Sequence, residues 1–208
     1  MMTILLIDGE NFKGKMKSVF KGAKQTKPLW HVYDFRGLLT KVLNGRNIDR
    51  AIFYFARIKE DPQTREKSRQ LIEEQRLLKT HLERQGYGVV LAGRVRGQME
   101  TDSSGKRVLV FREKGVDVKI GIDMMVSACD GTAQEIILGS SDSDLQPAIS
   151  QVKRRGIRLV YLGFEVQPNK GLSYTTGQTI LIRNSEVLEF YQKEKASNAD
   201  GTASGSFS

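Results

Sequence analysis

Apolar positions along this chain repeat in two ways, and the two alternate. Five short runs, TILLI (3–7), IDRAIFYFARI (48–58), YGVVLAG (87–93), EIILGS (135–140) and IRLVYLG (157–163), are rich in branched and aromatic residues, the pattern of buried strands. Helical spacing lies between them. DFRGLLTKVLNG sets Phe35, Leu38, Leu39 and Val42 on one stripe ahead of a glycine, and the charged stretch 62–86 spaces Leu71, Leu78 and Leu82 along a helix. The stretch 116–129, VDVKIGIDMMVSAC, is apolar almost throughout and predicts a buried helix. TILIRN (179–184) and SEVLEFYQKE (185–194) add a weaker strand and a last helix. Strand alternating with helix predicts βαβ units: an α/β, Rossmann-like fold with a mostly parallel sheet and helices on both faces.

One segment breaks the alternation. Residues 93–112 hold two strand-like pieces, RVRGQME and KRVLVF, around the turn signal Asp102-Ser103-Ser104-Gly105, which predicts a β-hairpin inserted at the sheet edge. The chain has 208 residues and 39% hydrophobic content, enough for one core, and no internal repeat, so a single domain is expected over 1–195. The small, polar residues 196–208 predict a disordered tail.

Charge then narrows the partners. Lys and Arg number 33 against 24 Asp and Glu, a net charge of +9, which draws polyanions and places nucleic acid first. Much of the excess is local: KGKMKSVFKGAKQTK carries Lys13, Lys15, Lys17, Lys21, Lys24 and Lys27 without an acid and reads as a basic loop, while the hairpin brings Arg94, Arg96 and Lys114. Taken alone, such a run is as readily a solvated surface. One cysteine, Cys129, and two histidines, His31 and His81, speak against a disulfide framework or a structural zinc site, so a metal would be held by oxygen. The opening MMTILLID is too short to span a bilayer and lacks a signal-peptide pattern, and a soluble protein of a reducing, cytoplasmic compartment without membrane contact is expected.

The acids gather where strands end. In an open parallel sheet, ligands bind beyond the carboxyl ends of the strands. Asp8 follows TILLI, Asp142 and Asp144 follow EIILGS, and Asp117 opens the apolar helix. Each has a plainer reading. Asp144 alone is better explained as the N-cap of a helix whose first turn holds Pro147, Asp8 as a loop acid serving backbone N–H groups, and Asp117 as an acid favoured by the helix dipole. Asp123, six residues beyond Asp117, sits about a third of a turn away, within reach of Lys119, and suits a supporting role. Together, however, four carboxylates from three distant stretches repel one another unless a cation such as Mg2+ or Mn2+ joins them.

Ile7-Asp8-Gly9-Glu10-Asn11, then Lys114-Gly115-Val116-Asp117, then Gly139-Ser140-Ser141-Asp142-Ser143-Asp144-Leu145 resemble, in order and context, the motifs of the NYN domain in its LabA-like branch. The likeness covers roughly residues 3–182. It implies a PIN-like nuclease fold with an acidic site for Mg2+ or Mn2+ and RNA cleavage. By position, Asp8, Asp117, Asp142 and Asp144 match the acidic, metal-holding site and Asn11 its amide neighbour, all five as catalytic candidates. Two positions depart from the family pattern: Ser141 stands where glycine is common before the paired acids, and Gln178 where a late acid is common.

An endoribonuclease hydrolysing phosphodiester bonds is therefore the leading expectation, with carboxylate-held metal supplying the chemistry that neither histidine has a motif for. Lys13, Lys15, Lys17, Arg94, Arg96 and Lys114 would then form basic walls around an acidic floor. A non-catalytic RNA-binding regulatory module on the same fold explains the charge equally well. A small-phosphate enzyme lacks its Gly-rich loop here and leaves the lysine run unexplained.

Overall fold

A computed structural model of the chain describes residues 1–26, 28–60, 64–101, 105 and 107–191, without the side chains of 96–100 and 107–113. The tail expected over 196–208 lies outside the described residues, as does most of the turn at 102–105. The elements in chain order are β1 (Met2–Asp8), α1 (Gly9–Gly22), α2 (Phe35–Val42), β2 (Arg50–Arg57), α3 (Arg65–Arg84), β3 (Gly88–Thr101), β4 (Arg107–Lys114), α4 (Val116–Cys129), β5 (Ala133–Gly139), α5 (Gln146–Arg154), β6 (Arg158–Phe164), α6 (Lys170–Thr176), β7 (Thr179–Ile182) and α7 (Asn184–Glu189). They build one sheet of order β4-β3-β2-β1-β5-β6-β7, parallel throughout except for β4, which runs antiparallel to β3 at one edge. The α/β, Rossmann-like architecture expected from the alternation is what forms. No helix among the described residues is long and apolar enough to cross a membrane.

Alternation along the strands sorts the core into two layers. Leu5 and Ile7 of β1 and Phe53 and Phe55 of β2 face α1, α2, α3 and α7, while Ile4, Leu6, Ile52 and Tyr54 face α4, α5 and α6. Burying each large side chain contributes roughly 1.5–3 kcal/mol. The two layers share a single sheet, so helices on both faces follow from runs in which every residue is apolar.

Three expectations need correction. The lysine run is not a loop over most of its length: Phe12, Met16, Val19 and Phe20 recur at helical spacing, bury against the sheet, and make α1 of Gly9–Gly22 with Lys13, Lys15, Lys17 and Lys21 on its outer sides, while Lys24 follows the helix and Lys27 lies outside the described residues. YGVVLAG and RVRGQME are not separate strands but the two halves of the fourteen-residue β3, the first paired with β2 and the second with β4. Gly93 sits at the joint with φ +66°, and a Cβ there would come within 2.0 Å of the Lys114 carbonyl oxygen. Only glycine permits that crossing. The apolar helix is not wholly buried either, because α4 hides Val116, Ile120, Met124 and Ala128 but exposes Val118, Ile122 and Val126. The short α6, capped by the Asn169 side chain on the Leu172 amide at 3.0 Å, has too few residues to display a period.

Candidate functional site

Strand order places the crevice. Successive strands add outward from β1 to β4, and the chain then returns through α4 to lay β5 on the other side of β1. Loops leaving β1 and β5 therefore diverge, and the gap between them is where ligands of such sheets sit. Asp8 ends β1 and Asp142 follows β5 by three residues. Because β4 runs antiparallel, it finishes back at this rim, with Lys114 opposite Arg94, and hands the chain through Gly115 (φ +88°) into the first turn of α4 with Asp117.

Asp117, Asp142 and Asp144 each offer a carboxylate oxygen, and these lie within 4.8 Å of one another. A cavity of about 220 Å3 beside them is lined by Asp8, Glu10, Asn11, Gly115, Val116, Asp117 and Asp142. The two groupings differ at the margin. Asp144 belongs to the convergent trio but not to the cavity wall, Asp8 to the wall but not to the trio, and Asp117 and Asp142 to both. The centre of the site is accordingly the Asp117–Asp142 pair.

Two of the acids also serve the backbone. Asp8 caps α1, its Oδ1 accepting the Asn11 N–H at 2.9 Å, and Asp142 caps a 3-10 turn at Ser143–Leu145, its Oδ1 accepting the Asp144 N–H at 2.9 Å. The cap expected of Asp144 is thus made by Asp142, because the chain turns two residues earlier than Pro147 suggests, and the 3-10 turn runs straight into α5. Asp8 is 8% exposed. Burial pushes its carboxyl up to about 6, the Asn11 amide pulls the other way, and Asp142 and Glu10 raise it further.

The loop bearing Asp142 is held by hydrogen bonds that reading the motifs did not reveal. Asn11 Oδ1 accepts the Ser141 N–H at 3.1 Å, Asn169 Nδ2 donates to the Ser141 carbonyl at 2.9 Å, and the Ser141 and Tyr161 hydroxyls lie 3.1 Å apart. Tyr161 Oη accepts in turn from the Asn169 amide at 3.2 Å. The serine that departs from the family pattern thus has a partner glycine would lack. Gln178, the other departure, is exposed beside the edge strand β7 and lies outside the acidic cavity, its carbonyl accepting the Tyr161 N–H at 2.9 Å. Asn169 and Tyr161 gave no local signal, since one looks like a helix cap and the other like a core aromatic. Asp123 stands apart from the acid trio: it accepts from the Tyr54 hydroxyl at 2.9 Å and pairs with Lys119 at 2.5 Å, tying α4 to β2.

The basic residues divide by element. Lys13 and Lys17, one turn apart on α1, line a cleft with Glu10, which also lines the acidic cavity. Lys13 is paired to Glu10 at 2.6 Å and lies 5.3 Å from the centre of the Phe55 ring. Lys15 turns to the other flank, donating to the Gln167 carbonyl at 2.9 Å. The three lysines therefore do not form one wall, since two residues turn a helix by about 200°. Across the sheet, Arg57, Arg94 and Lys114 are register partners on β2, β3 and β4, a row of cations that includes one the sequence reading missed. Arg96 sits opposite Arg112 farther along the hairpin, with both side chains outside the described residues.

No curated protein sequence matches the chain. Among solved structures, a protein of unknown function from Vibrio parahaemolyticus RIMD 2210633 superposes with a TM-score of 0.57 at 17% identity, over 87% of this chain and 93% of that one, a likeness of fold. The NYN domain family model matches residues 2–181, from β1 into β7 and so across every acid of the site. With a parallel sheet split at β1, an acidic cluster in the split and that match over most of its length, the chain belongs to the NYN domain family, within the PIN-like nuclease superfamily.

Proposed function

We propose that this chain is a divalent-metal-dependent endoribonuclease of the LabA-like branch, with Mg2+ or Mn2+ held by Asp117, Asp142 and Asp144 and with Asp8 beside them. The observation that carries the reading is the convergence of three carboxylate oxygens within 4.8 Å. Like charges so close repel unless a cation joins them, and an all-oxygen donor set suits hard ions. When bound, such an ion supplies charge neutralisation on the phosphate and a water ionised near neutral pH.

The chain's own groups supply the rest. Asn11 and Asn169 clamp Ser141 and so aim Asp142. Asp8, buried in the cavity wall and held by the Asn11 N–H, adds a further carboxylate that would face the ion. Lys13 and Lys17 on one side and Arg57, Arg94 and Lys114 on the other bind the RNA backbone in this reading, in a cytoplasmic setting.

The test is incubation with Mg2+ or Mn2+ and labelled single-stranded RNA, structured RNA and DNA, comparing wild type with Asp142→Asn. Asparagine keeps the shape and can still accept the Asp144 N–H but removes a charge. Metal-dependent RNA cleavage should fall on the order of a hundredfold or more, while RNA affinity holds or rises slightly. A binding module would give no product from wild type. Activity that persists undiminished in purified Asp142→Asn would place the chemistry elsewhere.

A further inference from the structure

Helix α4 leaves one face without a partner. Val118, Ile122 and Val126 stand at four-residue steps and are 59%, 52% and 50% exposed. They border a groove of about 470 Å3 between α4 and α5. Its floor is shallow because Gly121 and Ala148 meet there: a Cβ on Gly121 would lie 3.5 Å from that of Ala148. An apolar strip of this kind costs solubility and marks a contact surface.

The charges at the groove all have one sign. Asp117 and Asp144 lie at one end and Asp130 at the other, and no Lys or Arg is among the lining residues. On a chain of net charge +9 that is out of character, and it discriminates among occupants. RNA would meet an apolar wall with no lysine or arginine to contact its phosphates. A second copy docking through the same face would set three aspartates against three. A helix with an aliphatic stripe flanked by Lys or Arg matches both the apolar floor and the acidic ends.

We propose that the α4–α5 groove is the docking site for a cationic amphipathic helix of a partner protein. Asp117 and Asp144 belong both to the groove and to the acidic centre, so that end of the groove is anionic in the metal-free chain and binding is measured in EDTA; the proposal does not depend on whether the centre cleaves RNA.

The probe is a synthetic helix with leucines at i, i+3, i+4 and i+7 flanked by lysines, titrated into the full chain at physiological salt and read by fluorescence anisotropy, beside a counterpart flanked by glutamates. The lysine form should bind and the glutamate form should not, even though a chain of +9 would favour the glutamate form on overall charge alone. Ile122→Ser should weaken binding about tenfold or more with an unchanged melting curve, since the side chain is half exposed. Asp130→Lys should weaken the lysine form and admit the glutamate form. Equal binding of both peptides, or binding indifferent to Ile122→Ser, overturns the proposal. Dimerisation in sedimentation that Ile122→Ser abolishes would assign the groove to a second copy, and loss of single-stranded RNA binding in Ile122→Ser would assign it to nucleic acid.

Discussion

Asp8 carries two duties that pull its proton in opposite directions. Capping the Asn11 N–H favours the carboxylate, whereas burial, the larger effect, favours the acid, with Asp142 adding to it. Its folded value of about 6 exceeds the unfolded 3.8. The folded state therefore binds the extra proton between those values, and the contribution of Asp8 to stability is lost as pH rises from about 4 to about 6. Two units correspond to roughly 3 kcal/mol. Measured by denaturant unfolding in EDTA, Asp8→Asn should match wild type below about pH 4 and gain stability above about pH 6, because asparagine caps a helix nearly as well. A difference that does not vary with pH would mean that the buried charge is already compensated. The acids and Asn11 are legible as residues because they stand in contiguous motifs. Asn169 and Tyr161 are not, because the hydrogen bonds that aim the Ser141 loop join positions 28 and 20 residues away from it.

Among elements, α1 shows how a polar-looking stretch acquires meaning from its period. Its lysines obscure an apolar stripe of Phe12, Met16, Val19 and Phe20, and once that stripe is set on the sheet the lysines must radiate to different sides. Lys13 and Lys17 share a cleft with Glu10, whereas Lys15 is held by the Gln167 carbonyl on the other flank. Replacing Lys13 and Lys17 with glutamine should lower the slope of log affinity for single-stranded RNA against log salt by about 1.4, at about 0.7 for each phosphate contact. Lys15→Gln should leave the slope close to wild type. Equal effects would mean that the strand crosses both flanks of α1. The same reasoning corrects α4, where composition suggests full burial but the helix exceeds what one sheet face can cover, so Val118, Ile122 and Val126 remain outside.

At the scale of the whole molecule, a cation joining Asp117, Asp142 and Asp144 would fasten α4 to the loop after β5, two segments that meet only in the folded chain. A ligand bound by the native state alone stabilises it by roughly 2.7 kcal/mol at a hundredfold excess over its Kd. Millimolar Mn2+ should therefore raise the melting temperature by about 5–10 °C for a chain of this size, and Asp142→Asn should remove most of that rise. No shift in a folded protein would withdraw the metal site. By itself the sequence determined the alternation of strand and helix, the two-sided burial of the sheet and the identity of the acids, since each is written in local period or contiguous motif. Tertiary structure alone decided the rest. It made one strand of β3 by bending it at Gly93, assigned the cap to Asp142 rather than Asp144, divided the lysines of α1, aligned Arg57 with Arg94 and Lys114, and left a face of α4 uncovered. For the joint in β3, the row of cations and the bare face of α4 the physical reason is which distant backbone or surface lies opposite a residue, set by strand register and helix packing rather than by neighbours along the chain; the cap and the division of the lysines turn on where each helix begins.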